Sequence, residues 1–405
     1  MSKTEVQHVL VVGIDTVPIV NSAKEAGYSV FAADYFGDLD LQRICSGYEA
    51  IIQQEIGKSC GKIGSRFKPQ AFLEATKSLH KRHRLDAILL SSGLDDFFDV
   101  VRQLNSLIPV LGNSPEVIER VRTKPKFYEE LERLEIAHPE TIATKNISEL
   151  EATAEDIGYP IVIKPTRGFG GIGVRLARST MEVEEAFQEL SSIDGEVLAQ
   201  RFIKGVHASV SFLAAEDEAT ILTVNEQILG SDFLFQEEPL GYCGNIVPLH
   251  LSDSIFDKCK NILERIASHF DLKGSNGVDL VISKEGDPYV IEVNPRFQGS
   301  LECVEKVLGI NLVESHINAC LYDSLPIQKG KASGFCTRLI LYTPNRIVAP
   351  NITAFREARD IPLPGTIIEK SEPLCSVIAA GISRSSSLRK AKTSAKNIYK
   401  MLQTA

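Results

Sequence analysis

Two apolar, β-branched runs, Gly277 to Ile282 and Pro288 to Val293, flank the polar segment SKEGD. This pattern predicts a β-hairpin, because alternating strands joined by a short Gly-containing loop are typical of one. A symmetric loop places Asp279 directly across the strand pair from Glu292. Asn294 follows two residues later and therefore projects from the same face. The hairpin is thus predicted to gather two carboxylates and an amide on one face.

Polar oxygens on otherwise apolar strands are costly to bury unless a positive charge neutralises them. Mg²⁺ suits such a site, because it prefers oxygen ligands and completes its shell with water and phosphate. The alternative, a solvated hairpin with ordinary surface acids, explains the acids of the loop but not those within the apolar runs. We therefore predict Asp279, Glu292 and Asn294 as metal ligands, with Mn²⁺ as the alternative ion. Arg296 could hold a phosphate or a carboxylate in a forked grip.

A glycine-rich segment follows a predicted strand, Ile161 to Pro165, that carries Lys164 near its end. Backbone N–H groups of such a flap can close over phosphate oxygens, because glycine has no side chain to obstruct the approach. The segment is not a Walker motif, since no G-K-[ST] follows it. Together with the preceding lysine and the later acidic hairpin, it predicts a nucleotide site. The flap glycines are Gly168, Gly170, Gly171 and Gly173.

The chain opens with a predicted βαβ unit, formed by His8 to Gly13, Pro18 to Ala26 and Ser29 to Ala33. This opening invites a nicotinamide-cofactor interpretation with Asp34 as the ribose-binding acid. Gly13 stands alone, however, where G-x-G-x-x-G is required. We therefore favour a Rossmann-like layer that packs against the rest or presents one edge of a cleft.

The polar segment Glu226 to Leu249 shows little helix or strand periodicity and is predicted to be a long loop. A loop of this length inside a compact domain usually has a function. We expect substrate contacts there, with ordinary loop polarity as the alternative. The strand ends at Asp15, Ser91 and Ser92 can add to the same cleft. No motif identifies the substrates. The candidate contacts are Asn225, Glu226, Tyr242, Asn245 and, beyond the flap, Arg175.

The composition is that of an ordinary soluble protein of two or three domains, with 405 residues, 43% hydrophobic and 24% charged. A net charge of −9 argues against a nucleic-acid or anionic-membrane partner. The polar start and the lack of long apolar runs favour a cytoplasmic protein. The eight cysteines are scattered along the chain, which is typical of reduced thiols. Cys243 is interpreted as a structural residue.

Together these residues resemble the ATP-grasp superfamily of carboxylate–amine ligases, most closely the ATP-dependent carboligases related to biotin carboxylase. The resemblance covers Pro115 to Leu321. It implies mixed α/β and α+β structure in the ATP-grasp architecture. A Rossmann-like domain at residues 1–114 would precede a two-lobed nucleotide-binding domain at 115–330 and a small α+β domain at 331–405.

The resemblance also implies roles for individual residues. Lys124 and Lys164 would contact the phosphates and the adenine edge of ATP, and the flap would cover the phosphates. The linker from Gln200 would bind adenine, although Gln200 replaces the family's usual acid. His207 would face the ribose or the phosphates, with a structural histidine as the alternative. The implied nucleotide-binding set is Lys124, Lys164, Gly168, Gly170, Gly171, Gly173, Gln200, Arg201, Phe202, Ile203 and His207.

The implied reaction is attack of a small-molecule carboxylate on the γ-phosphate of ATP, which gives an acyl phosphate and ADP, followed by displacement by an amine. Mg²⁺ would bridge the phosphates, and Arg296 and Lys164 would be catalytic. Family members often dimerise, so a homodimer is allowed. The alternatives are a bicarbonate-phosphorylating carboxylase or carbamoyl-phosphate-type enzyme, a non-catalytic nucleotide-binding protein and, least favoured, a dehydrogenase.

Overall fold

The computed structural model describes residues 6–168, 170–216, 218–326 and 332–404. Its N-terminal region is a sheet whose four strands all pair in parallel, in the order β3-β2-β1-β4. Successive residues of β1 pack into two different apolar clusters, because helices cover both faces of the sheet. The elements of this region are β1 (His8–Gly13), α1 (Val17–Glu25), β2 (Ser29–Asp34), α2 (Leu39–Ile44), β3 (Gly47–Ala50), α3 (Ile63–Arg66), α4 (Pro69–Arg82), β4 (Ala87–Leu90), α5 (Phe98–Leu107) and α6 (Pro115–Arg122).

The central region begins with a small antiparallel lobe whose strands pair in the order β5-β8-β6-β7. Two helices, α8 and α9, pack on it and share its apolar cluster. Ser114 caps the N-terminus of α6, since its Oγ accepts the Val117 N–H at 3.3 Å. The elements of the lobe and its lead-in helix are α7 (Lys124–Arg133), β5 (Thr141–Thr144), α8 (Ile147–Ile157), β6 (Ile161–Pro165), β7 (Arg175–Ala177), α9 (Thr180–Asp194) and β8 (Val197–Arg201).

A second lobe follows, built on long antiparallel strands that carry most of the predicted chemistry. One face of its sheet packs against α7 and α10, and the other against α11 and α12, which also contact the N-terminal region. The elements are β9 (Gly205–Ala214), β10 (Ala219–Leu229), a 3₁₀ turn (Asp232–Leu234), β11 (Tyr242–Val247), α10 (Asp253–His269), β12 (Gly274–Ser283), β13 (Pro288–Asn294), α11 (Leu301–Leu308) and α12 (Leu312–Tyr322).

The C-terminal region extends this same sheet across the predicted boundary at residue 331. The strand order is β13-β12-β9-β10-β11-β14-β18-β16, and β14 pairs directly with β11. A separate three-stranded sheet has the order β17-β15-β19. The elements are β14 (Phe335–Tyr342), β15 (Ile347–Val348), β16 (Ala358–Arg359), β17 (Ile367–Ile368), β18 (Pro373–Gly381), α13 (Arg384–Tyr399) and β19 (Gln403–Thr404).

The prediction of one long irregular loop from Glu226 to Leu249 is wrong. β10 continues to Leu229, and β11 begins at Tyr242, so only residues 230–241 connect the two strands. Strand β11 has the sequence YCGNIV, in which glycine and asparagine interrupt the apolar alternation. These residues are poor strand formers, and pairing with β10 and β14 on both sides overrides that weak local preference.

Candidate active site

A cavity of about 740 Å³ lies between the glycine flap, the large sheet and the carboxyl ends of the N-terminal strands. Its size suits a nucleotide together with a small substrate. The N-terminal strand ends contribute Asp15 and Ser92 to its wall. Most of the residues predicted from sequence also line it, namely Lys124, Lys164, Gly168, Gly170, Gly171, Gly173, Arg175, Gln200, Arg201, Phe202, Ile203, His207, Asn245, Asp279, Glu292, Asn294 and Arg296.

The acidic hairpin has the predicted register. β12 and β13 pair so that Asp279 lies opposite Glu292, and the register shifts by a bulge immediately after Asp279. Asn294 donates through its side-chain amide to Asp279 Oδ2 at 3.2 Å. The three side chains therefore share one face, as strand alternation predicts. That face forms part of the cavity wall.

Cations surround Glu292. Arg122 Nη1 lies 3.4 Å and Lys124 Nζ 3.7 Å from Glu292 Oε2. Burial pushes the pKa of Glu292 upward, but the charges of Arg122, Lys124, Lys164 and Arg296 outweigh it and lower the pKa to about 2. Glu292 is therefore ionised across the physiological pH range.

Asp279 has the opposite electrostatic environment. Burial and the facing Glu292 carboxylate raise the pKa of Asp279 to about 7, against the lowering effects of Arg296, Gln227 and Asn294. The described residues contain no group of three or more His, Cys, Asp or Glu side chains that could hold a metal ion. Two carboxylates and one amide thus form an incomplete shell, which suits an ion that keeps water or phosphate ligands.

Lys164 and Gln200 form a buried polar cluster beside these acids. Lys164 Nζ donates to Gln200 Oε1 at 2.9 Å, and Gln200 Nε2 donates to Tyr128 at 2.9 Å and to Thr141 at 2.8 Å. Burial lowers the pKa of Lys164 to about 8. The side-chain amide of Gln200 is engaged at both ends, so it orients Lys164 and leaves its own oxygen and nitrogen occupied by protein partners.

The N-terminal region supplies two acids that sequence analysis missed. Asp95 Oδ2 accepts from Arg296 Nε at 3.1 Å. Asp96 holds Arg122 by two hydrogen bonds, of 2.7 and 3.0 Å, and also accepts the backbone N–H of Gly168 at 2.8 Å. The available signal was their position shortly after the end of β4, since ligand sites in parallel sheets lie at carboxyl ends of strands.

The glycine flap is docked against the 230–241 connection. Gly170 O accepts the Tyr242 N–H at 3.2 Å. Arg175 forms an ion pair of 2.6 Å with Glu238, and it also pairs with Glu189. Phe169, which follows Gly168 in the sequence, lies outside the described residues. These contacts place the flap over the cavity.

A Gly171→Ala substitution is expected to raise by about tenfold the KM for ATP, the nucleotide that the family resemblance implies, because two obstacles coincide there. Gly171 has φ +78°, and an added Cβ would lie 2.7 Å from Leu240 O. Gly170→Ala is the matched control, since Gly170 has φ +63° but an added Cβ would meet nothing within 4 Å. Steady-state kinetics compare the two. Equal KM values for both variants would contradict close packing of the flap at Gly171.

Arg338 lines the cavity and joins all three regions of the chain. It donates to both oxygens of Asp15 at 2.7 and 3.0 Å, to Gly299 O at 2.9 Å, to Asp360 at 3.0 Å and to Ser376 at 3.3 Å. These bonds use all five N–H donors of the guanidinium. Arg338 therefore fixes the cavity wall and has no donor left for a ligand in this arrangement.

The structure corrects the proposed substrate role of Glu226. Strand alternation places Gln227 on the cavity wall and turns Glu226 away, where it pairs with Arg384 at 2.5 Å. The guanidinium of Arg201 likewise pairs with Glu140 at 2.6 Å and donates to Ile157 O.

The structure also shows the environment of three further residues from the sequence analysis, Cys243, His207 and Asp34. Burial raises the pKa of the Cys243 thiol to about 11, which agrees with its interpretation as a structural residue. Burial also lowers the pKa of His207, which lines the cavity. Asp34 accepts hydrogen bonds from Thr16, Phe36 and Gly37, so its oxygens hold the turn after β2. That engagement leaves no support for a ribose-binding role.

Residues 121–300 match the family model of the ATP-grasp domain. Among curated proteins, the chain is 28% identical over 374 residues to an uncharacterized protein of Methanocaldococcus jannaschii, covering 91% of this chain and 87% of that one. It is 28% identical over 226 residues to the large chain of carbamoyl phosphate synthase from Pyrococcus furiosus. That match covers 55% of this chain and only 21% of the synthase chain.

Solved structures agree on the fold over nearly the whole chain. Biotin carboxylase from Campylobacter jejuni, in a complex with β-γ-ATP, has a TM-score of 0.74 at 18% identity, covering 98% of this chain and 92% of that one. L-amino acid ligase from Bacillus licheniformis has a TM-score of 0.72 at 16% identity and covers 98% of both chains. The predicted family resemblance and the mixed α/β class with ATP-grasp architecture are confirmed. Within the described residues, every helix is too short or too polar to cross a membrane.

Proposed function

We propose that this protein is an ATP-dependent ligase that activates a small-molecule carboxylate as an acyl phosphate, releases ADP and joins the acyl group to an amine. One observation carries the proposal: the facing carboxylates Asp279 and Glu292 share a cavity with Lys124, Lys164 and Arg296. Phosphoryl transfer depends on alignment and charge neutralisation more than on covalent help from the protein. The cavity supplies charges of both signs for that purpose.

The facing carboxylates fit a divalent cation such as Mg²⁺. Burial and the facing Glu292 carboxylate raise the pKa of Asp279 to about 7, so a cation bound there would favour its ionised form. Asp279, Glu292 and Asn294 would hold the ion, with water and phosphate completing its shell. Bound there, it would supply charge neutralisation at phosphoryl oxygens, and Mn²⁺ has the same preference for oxygen.

The buried cations would bind and orient the phosphates. Lys124 and Lys164 lie beside Glu292, so their charges are already concentrated at the cavity wall. Arg296 donates to Asp95, Phe297 O and Asn294 Oδ1 through three of its five N–H groups. Among the described residues nothing engages the other two. These donors would hold the transferring phosphoryl group or the substrate carboxylate.

The flap and the linker would complete the nucleotide site. The docked flap, residues 168–173, would exclude water, which would otherwise hydrolyse an acyl phosphate. Gln200 directs its side chain to Lys164 and Tyr128, so we assign adenine recognition to backbone groups of the Gln200–Ile203 linker.

A bicarbonate-phosphorylating enzyme is the second candidate, supported by the similarity to biotin carboxylase and to carbamoyl phosphate synthase. The sequence contains no Met-Lys-Met biotin attachment site. L-amino acid ligase, which is similar in fold over 98% of both chains, is the neighbour that agrees with the amine ligase.

The deciding experiment is a coupled ADP-release screen with ATP and Mg²⁺ across amino acids and other small carboxylates, each with and without amines. The ligase is expected to release ADP only when a suitable acid is present. ADP release with bicarbonate alone would instead support the second candidate. A protein that binds ATP but releases no ADP with any acid would contradict both enzymes and indicate a nucleotide-binding protein without catalysis.

A further inference from the structure

Asp360, which immediately follows β16, lies on the cavity wall. It has φ +56°, a left-handed conformation, and its backbone N–H donates to Asp40 at 2.9 Å. One guanidinium links it to the segment after Arg296, because Arg338 donates both to Gly299 O and to Asp360. The side chain of Arg338 therefore bridges Asp360 and the segment that follows Arg296.

The two carboxylate oxygens of Asp360 differ in their contacts. Oδ2 accepts from Arg338 at 3.0 Å and from Ser376 at 2.6 Å. No hydrogen-bond donor among the described residues reaches Oδ1. Asp15, by contrast, uses both oxygens for Arg338. Asp360 is thus held firmly through one oxygen while the other can accept a proton from a molecule in the cavity.

The surroundings of Asp360 favour proton uptake near neutral pH. Burial, Asp15 and Asp40 raise its pKa, while Arg338 and Ser376 lower it, and the result is about 7. A general base works best when its pKa lies near the working pH. The charged and titratable groups facing it are Asp15, Asp38, Asp40, Arg338, Arg359 and Cys375.

We propose that Asp360 is the general base of the amine step, which makes the second substrate a molecule with a primary ammonium group. This proposal rests on the ligase function proposed above. In this part of the wall all five donors of Arg338 are engaged and Asp360 Oδ1 is an open acceptor, which favours a nucleophile that donates from a cationic group. An ammonium cannot attack a carbonyl until it has lost a proton.

In the proposed step, Asp360 Oδ1 accepts one proton from the ammonium, which frees the lone pair on nitrogen. That nitrogen forms the new C–N bond at the acyl carbon of the acyl phosphate. The bond from this carbon to the phosphate oxygen breaks, and phosphate leaves with the electron pair. The amide nitrogen loses its second proton to the departing phosphate, and Asp360 returns its proton to solvent.

The test compares two nucleophiles in the wild type, Asp360→Asn and Asp271→Asn, using an acid that the ADP-release screen identifies. Hydroxylamine is uncharged at neutral pH and needs no base, so it traps the acyl phosphate as a hydroxamate. The other nucleophiles are the amino acids and diamines of the screen. Asp271 is the matched control, because it also has φ +56° but its side chain is 79% exposed.

Asp360→Asn is expected to lose amide formation by about 10²- to 10³-fold and to keep hydroxamate formation within about threefold. Asp271→Asn should resemble the wild type in both reactions. In the wild type itself, amide formation should rise as pH passes through about 7 while hydroxamate formation does not, a comparison that needs no variant.

Equal losses with both nucleophiles in Asp360→Asn would show a structural role and overturn the proposal. So would normal amide formation in that variant, or parallel pH profiles for the two products in the wild type. A wild type that yields neither ADP nor hydroxamate with any acid would overturn the ligase function itself and this step with it. Hydroxamate formation together with amide formation that does not depend on Asp360 would overturn only the role of Asp360.

Discussion

A Glu292→Gln variant is expected to lose ATP-dependent turnover by at least about a thousandfold while remaining folded. Glutamine keeps the shape of the side chain but removes the negative charge. Arg122 at 3.4 Å and Lys124 at 3.7 Å then lose their shared partner, and the proposed metal site loses one of two carboxylates. ADP release with the identified acid measures the loss, and circular dichroism reports the fold.

Glu285→Gln is the matched control, because Glu285 is exposed in the loop of the same hairpin. It should retain wild-type turnover. Near-normal ADP release by Glu292→Gln would count decisively against the metal and phosphate site. Glu292→Ala should be equally inactive, and normal turnover in that variant would contradict the site in the same way.

The difference in stability between the wild type and Glu292→Gln is expected to depend on pH. The cations around Glu292 lower its pKa from an ordinary 4.5 to about 2 in the folded protein. A depressed carboxyl pKa contributes stability above the unfolded value, and that contribution is lost as pH falls through the folded value. The stability advantage of the wild type over Glu292→Gln should therefore be full near pH 7 and shrink between about pH 5 and pH 2. Urea unfolding at several pH values measures it, and an advantage that grows on acidification would contradict the ion pairing.

An Asp96→Ala substitution is expected to destabilise the protein by about 3–5 kcal/mol, because it leaves the buried charge of Arg122 without its main partner. Arg122 and Asp96 are only 3% and 4% exposed. The change also removes the acceptor of the Gly168 N–H, so the base of the flap loses an anchor. Denaturant unfolding measures the stability, and the KM for ATP reports the flap.

Asp99→Ala serves as the control for this experiment. Asp99 lies in the adjacent helix, and it is 91% exposed and paired to Arg102 at 3.1 Å. Exposed ion pairs contribute little, so its loss should cost less than about 1 kcal/mol. If Asp96→Ala costs no more than Asp99→Ala, the buried pair is not what holds α6 and the flap in place.

The acidic hairpin shows how much of the site could be predicted from the local sequence pattern alone. Asp279, Glu292 and Asn294 lie close together in sequence, and β alternation with a short loop determines their common face. The glycine flap could also be predicted from sequence, because four closely spaced glycines directly after a lysine-bearing strand are typical of few other structures. In both cases the information that specifies the geometry lies within about two dozen residues of chain, and the structure has the predicted hairpin register.

The errors arose where pairing partners were distant. Strand β11 looked irregular because its glycine and asparagine have low strand preference, yet it lies between two partners in the sheet. Glu226 looked like a substrate contact because it was placed in a loop, and in a strand its neighbour Gln227 takes the cavity face instead. A change from loop to strand determines which of two adjacent side chains faces the cavity.

The two facing acids, the lysine-bearing strand and the glycine flap could be predicted from the amino-acid sequence, because each lies within one short segment of chain. The contacts that hold these parts together came only from the three-dimensional structure. Asp95 and Asp96 reach Arg296 and Arg122 from another region of the chain, and Arg338 ties Asp15 to Asp360. Ion pairs of this kind depend on how separate sheets pack together, and that packing has no signature in the local order of residues.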